Sequence, residues 1–201
     1  MKVQAQNDTR RYEMSARAAA TAATGDRIID AVVELFWDNP IERITLDEVA
    51  RISGVSVQTV IRRFGSKDEL IAATAARERQ RIVDHRNTAP IGDLAGAIEV
   101  LFDHYEEEGD RVIKLLADEG RSPALAEILQ QGRRVHRDWC SRVFGPSLDG
   151  LPRSERKRRL AQFVAVCDVY VWNLLRRDMR LGRREAEAAL VELLDPLTKE
   201  S

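Results

Sequence analysis

Apolar residues recur along this chain at three- and four-residue intervals almost from end to end. No segment alternates apolar and polar residues over a strand's length, and no Asn-Gly or Asp-Gly hairpin turn joins two apolar runs. The pattern predicts an all-α chain of about nine helices. Ile28, Ile29, Val32, Leu35 and Phe36 form one broad stripe on a first long helix over about 26–37, which "DNP" at 38–40 ends. Thr45, with Glu48 three residues on, reads as a capping box that opens a second helix. Gly54 supplies a tight turn and Ser56 caps a short third helix. On that helix Val57, Val60, Ile61 and Phe64 form the buried stripe, leaving Gln58, Thr59, Arg62 and Arg63 outward or sideways. Gly65 ends it, and Ser66, with Glu69 three residues later, opens a fourth helix that runs to about residue 85.

Beyond it, helices are expected over about 91–108, 110–119, 123–144, 153–181 and 183–198. The breaks fall at Gly109, "GRSP" at 120–123, "GPSLDGLP" at 145–152 and Gly182, and "NTAPIGD" at 87–93 is the clearest interruption. The organisation that follows is a flexible Ala-rich arm over 1–23, a helix-turn-helix domain over 24–71 and a helical body over 72–201. Between residues 160 and 175 apolar side chains occur on nearly all sides, so that helix must be buried all round, partly by a partner. Leu160, Val164, Val171, Leu174 and Leu175, with Leu190, Leu193, Leu194 and Leu197 of the last helix, are the candidates for a four-helix homodimer interface.

Composition narrows the function classes. With 44% hydrophobic and 32% charged residues, most of the chain can bury a core. A net charge of −1 gives no overall attraction to a polyanion, so any affinity for phosphate must be local. Residues 56–67 supply such a patch, with Arg62, Arg63 and Lys67 and no acid. Cys140 and Cys167 lie in helical patterns without a CxxC pair, which implies a reducing compartment. No apolar run approaches the roughly 20 residues of a membrane span. "FVAVCDVYVWNLL" is interrupted by Asp168 and Asn173, so the expectation is a cytoplasmic protein without membrane contact.

Three short helices, the last pair joined by a Gly-containing turn, describe a helix-turn-helix whose third helix enters a DNA major groove. An isolated "RR" on a helix is usually a solvated face, but the caps and turn around this one favour contact with double-stranded DNA. The stretches "TGDRIIDAVVELF" and "TLDEVARISGVSVQTVIRRFGSKDEL" resemble the amino-terminal domain of TetR-family transcriptional regulators over roughly residues 26–71. The resemblance implies that Thr45 contacts a phosphate, that Val57, Gln58 and Thr59 lie at or near base edges, and that Lys67 binds backbone phosphate. It departs at "TVIRRF": Ile61 stands where a phosphate-contacting tyrosine is common, and Arg63 where histidine or tyrosine is common. Arg62 and Arg63 would replace that contact by charge, and arginine also pairs bidentately with guanine. Ser56 completes the candidate DNA contacts. For Arg10 and Arg11 two readings stay open, a minor-groove arm or plain disorder.

For the body the resemblance implies only an architecture that binds a small-molecule effector and dimerises. Phe102, Tyr105, Leu116, Leu125, Leu129, Trp139, Phe163, Cys167 and Tyr170 are the candidate pocket residues, set against plain core packing. His104, His136, Asp168 and Asn173 read as satisfied core or interface hydrogen-bonders. "DHYEEE" at 103–108 reads as an exposed acidic turn, since consecutive helical residues point apart. No HExxH, P-loop or GxGxxG occurs, and no histidine follows a glutamate at i−3. The expectation is therefore a ligand-responsive regulator that binds a palindromic operator as a homodimer, a repressor by resemblance released by a small hydrophobic effector, without catalytic residues, metal or cofactor. The alternative is a DNA-tethered body serving protein–protein assembly or catalysis.

Overall fold

The computed structural model describes the backbone of residues 2–199 and the side chains of 19–37 and 39–199. Helices account for nearly all of it, and among the described residues there is no strand. The chain divides into two compact units, residues 1–77 and 78–201, and the division falls within a helix, beyond the boundary expected after residue 71.

In the first unit α1 spans Lys2–Asp38, so the helix expected to begin near residue 26 continues back through the presumed arm. The side chains of Arg10 and Arg11 lie outside the described residues. Asn39 closes α1 by donating its backbone N–H and its side-chain amide to the Leu35 carbonyl, at 3.0 and 3.1 Å. Pro40 then leads into a 3₁₀ turn, Ile41–Arg43. Helix α2, Leu46–Ser53, opens on the expected capping box, with Thr45 accepting from the Glu48 amide and donating its own amide to the Glu48 carboxylate. Gly54 ends it at φ 69°, a left-handed conformation that a side chain resists. Ser56 caps α3, Val57–Phe64, and α4 runs Lys67–Arg86. Ile28, Val32, Ile44, Val49, Val60 and Leu70 meet in the small core beneath these helices.

The second unit comprises the last part of α4 with α5, Leu94–Ala117, α6, Pro123–Val143, α7, Arg153–Val166, α8, Val169–Asn173, and α9, Arg183–Thr198. Phe102, Trp139, Phe144, Phe163, Trp172 and Leu190 are among its core residues, and the rings of Phe144 and Phe163 stack at 4.2 Å.

Two expected boundaries move. Gly109 does not break α5: it is buried where Trp172 crosses, and a β-carbon there would lie 2.5 Å from the indole. The helix expected over 153–181 is in fact interrupted. Asp168 caps α8 by accepting from the Tyr170 amide at 3.0 Å, and a π-helical turn, Leu174–Asp178, follows.

"DHYEEE" is not an exposed turn either. Glu106 accepts from Trp172 Nε1 at 2.9 Å and from Arg176 Nε at 2.6 Å, while buried Glu108 pairs with Arg81 and Arg111.

Candidate nucleic-acid interface and effector body

Helix α3 is too short to persist alone in water. It is held by caps at both ends and by one deep anchor, Val60, 1% exposed. Val57 and Phe64 are half-buried, but Ile61, expected in the buried stripe, is 46% exposed. On an eight-residue helix resting on so narrow a line, Ile61 falls at the flank and joins Gln58 and Arg62 on the outer face. The Ser56 hydroxyl accepts from the Thr59 amide at 3.2 Å and lies 2.9 Å from the Thr59 hydroxyl. The amides of Val57 and Gln58 have no acceptor within the helix, because a helix leaves its first N–H groups unpaired. They and the helix dipole favour an anion at this end.

The basic residues occupy three different situations. Arg62 is exposed and pairs with no carboxylate among the described residues. Arg63 lies against α1: a β-carbon on Gly25 would sit 2.6 Å from its guanidinium nitrogens, so the glycine makes room for it. Lys67 Nζ donates to the Glu42 carbonyl at 2.9 Å. The Thr45 hydroxyl donates to the Glu48 carboxylate at 2.7 Å, and these bonds hold the Glu48 pKa below its ordinary value. Thr45 and Lys67, the two expected phosphate contacts flanking α3, are thus engaged within the unit.

A family profile described as "Bacterial regulatory proteins, tetR family" matches residues 28–74, which hold Thr45, α3 and Lys67. Over that segment the chain is similar to TetR-family regulators. It is 37% identical over 67 residues to the HTH-type transcriptional regulator AlkX of Mycobacterium tuberculosis (strain ATCC 25618 / H37Rv). That stretch covers 33% of this chain and 32% of AlkX, so the match spans about a third of that relative's length. A transcriptional regulator from Rhodococcus sp. Rha1 superimposes at a TM-score of 0.60 with 21% identity, over 86% of this chain and 95% of that one. The SmeT–triclosan complex does so at 0.64 with 21% identity, over 87% and 91%. Both share this chain's fold.

In its body the expected pocket residues separate. Phe102, Phe163 and Cys167 are fully buried packing residues, and Tyr105, Leu125, Leu129 and Trp139 are also buried. Leu116 is half-buried, whereas Tyr170 is 57% exposed. Of the interface candidates, Leu190 and Leu194 point into the body's own core and are unavailable to a partner. Leu160, Val164, Val171, Leu175 and Leu197 are half-buried, while Leu174 and Leu193 are exposed. The sequence reading passed over Arg86, which is buried between the rings of Tyr105 and Trp139. A cation at the carboxy-terminal end of a helix complements the dipole, so the local sequence around Arg86 does not mark it as buried.

Among the described residues no helix is long and apolar enough to cross a membrane, and no group of three or more His, Cys, Asp or Glu side chains converges as metal ligands would.

Proposed function

We propose that this chain is a homodimeric, DNA-binding transcriptional regulator of the TetR family, a repressor released from a palindromic operator by a small effector with an apolar body. The observation that carries the reading is the outer face of α3. Gln58, Ile61 and Arg62 stand exposed over the Val60 anchor, and Arg62 has no carboxylate partner among the described residues. Gln58 offers the bidentate amide that suits adenine, Arg62 the fork that suits guanine, and Ile61 an apolar contact for a thymine methyl. Thr45 and Lys67 would exchange their internal partners for phosphates, and the Val57 and Gln58 amides would add contacts at the helix end.

Two copies would place their α3 helices in major grooves about 34–36 Å apart, or a multiple of that. Exposed Tyr170, Leu174 and Leu193 support pairing through the last helices. An effector in the body would weaken DNA binding only as far as its affinity differs between the two states. The solved complex of SmeT with triclosan, a protein of the same fold, supports an effector-bound state.

The test is capture of fragments of the source genome by purified protein at two salt concentrations. The reading expects a few palindromic fragments, retained less as salt rises. Capture of none, or uniform capture of all, would overturn it.

A further inference from the structure

Arg86 ends the helix that begins at Lys67, and it is only 4% exposed. Its guanidinium carbon lies 5.2 Å from the Tyr105 ring centre and 5.0 Å from that of Trp139. Its main-chain carbonyl accepts from Trp139 Nε1 at 2.9 Å and from Arg142 Nη2 at 3.1 Å, which fixes the end of the helix. Nη1 meets His136 Nδ1 at 3.2 Å. His136 Nε2 is 3.0 Å from the Val164 carbonyl, so Nε2 carries the proton and Nδ1 accepts from Arg86. The imidazole is therefore neutral, and the arginine's charge is not offset by it.

Nε and Nη2 of Arg86 have no hydrogen-bond partner, and neither does Nε of Arg142. Nε and Nη2 form one edge of the planar fork, the edge that binds a carboxylate through two parallel bonds. The nearby acids are committed elsewhere. Glu108 holds Arg81 and Arg111, and Asp168 caps α8. Cys140 approaches His136 at Nε2, the nitrogen opposite the one Arg86 holds. Burial and the Arg86 charge push the His104 imidazole down to about 2, the response expected beside an uncompensated cation. A buried charge without a counter-ion is costly, and folded proteins rarely leave one unpaired.

A cleft of about 200 Å³ adjoins the site, bordered by Arg86, Val83, Val135, Trp139 and Arg142, with the exposed Asp138 also on its wall. Two arginines and one acid thus line the cleft beside apolar and aromatic residues, and the unpartnered arginine nitrogens lie buried behind that wall. The volume lies below the roughly 300 Å³ at which drug-sized pockets begin.

We propose that the body binds a small organic carboxylate, its carboxyl group docked on the Nε/Nη2 edge of Arg86 and its apolar part against Trp139 and the valines. This rests on the effector-responsive reading above and gives that effector a charge.

The experiment uses the full chain and the probes hexanoate and benzoate, each beside its neutral amide, with inorganic phosphate as a further arm. Thermal midpoint and tryptophan fluorescence are read. The carboxylates should raise the midpoint progressively, as the logarithm of concentration once sites begin to fill, while the amides and phosphate leave it in place. Arg86→Gln and Arg86→Met should weaken carboxylate binding at least about tenfold. Equal responses to acid and amide, a phosphate response as large as the carboxylates', no response to either carboxylate, or a folded Arg86 variant with unchanged affinity would each overturn the proposal. The acid–amide comparison needs no variant, so it decides even if both substitutions unfold. Genomic-fragment capture without any probe tests the regulator reading separately, so the two can fail independently.

Discussion

At the scale of single residues, the proposed complex would separate anchoring from reading along α3. Val60 carries the burial, while Gln58 and Arg62 stand exposed. Lys67 sits off the helix, its ammonium on a carbonyl oxygen that a phosphate oxygen can replace without changing the geometry of the donor. The two positions should therefore fail differently. Gln58→Ala is expected to relax preference at one base position by about 1–3 kcal/mol, with other sequences little affected. Lys67→Ala should weaken every sequence alike and reduce the slope of log affinity against log salt by about one. A panel of single-base operator variants titrated at several salt concentrations reads both effects.

At the scale of elements, two joints in the body carry the structure. The first is Gly109, where α5 admits the Trp172 ring. Alanine is the better helix former, yet its methyl would overlap a buried indole. Gly109→Ala should therefore destabilise by about 1–3 kcal/mol, measured by urea unfolding. A gain in stability would mean that the ring moves freely.

The second joint is Glu106, which ties α5 to α8 through Trp172 and to the π-helical turn through Arg176. Hydrogen bonds from Arg176 hold its pKa at about 2, well under the ordinary 4.5. A depressed carboxylate stabilises the fold above its unfolded value and loses that contribution as pH falls toward 2. Glu106→Gln should thus lower the thermal midpoint at neutral pH, and the gap from the parent chain should close between pH 4.5 and 2.

Neither joint was legible in the sequence. Gly109 reads as a helix breaker, because propensity reports the cost of a glycine and not the neighbour it accommodates. "DHYEEE" reads as solvated acid, because the arginines that hold Glu106 and Asp103, Arg176 and Arg183, stand 70 and 80 residues away. The first unit was far more legible. Thr45, Glu48, Gly54 and Ser56 act on their own neighbours, and such local chemistry leaves a local pattern. Ile61 is the exception there, since only the tertiary contact line decides which flank of a short helix faces water. Arg86 escaped for a related reason: its environment is built by α5 and α6, and nothing near residue 86 signals burial.

At the scale of the whole molecule, the account depends on two copies acting together. Leu193, 55% exposed on α9, is the most direct handle on that pairing. Leu193→Glu should give a folded monomer by sedimentation, with affinity for a palindromic fragment reduced by about a hundredfold or more as the second head is lost. A dimer that survives this change would place the interface elsewhere. Operator recognition, however, requires the outer face of α3 to lie in the major groove. Methylation protection of guanine N7 on a captured fragment measures this directly, because that atom is accessible only from the major groove. The account predicts two protected patches, one in each half-site, that Arg62→Gln diminishes while the protein remains bound. Tight binding that leaves every guanine N7 open to methylation would contradict it.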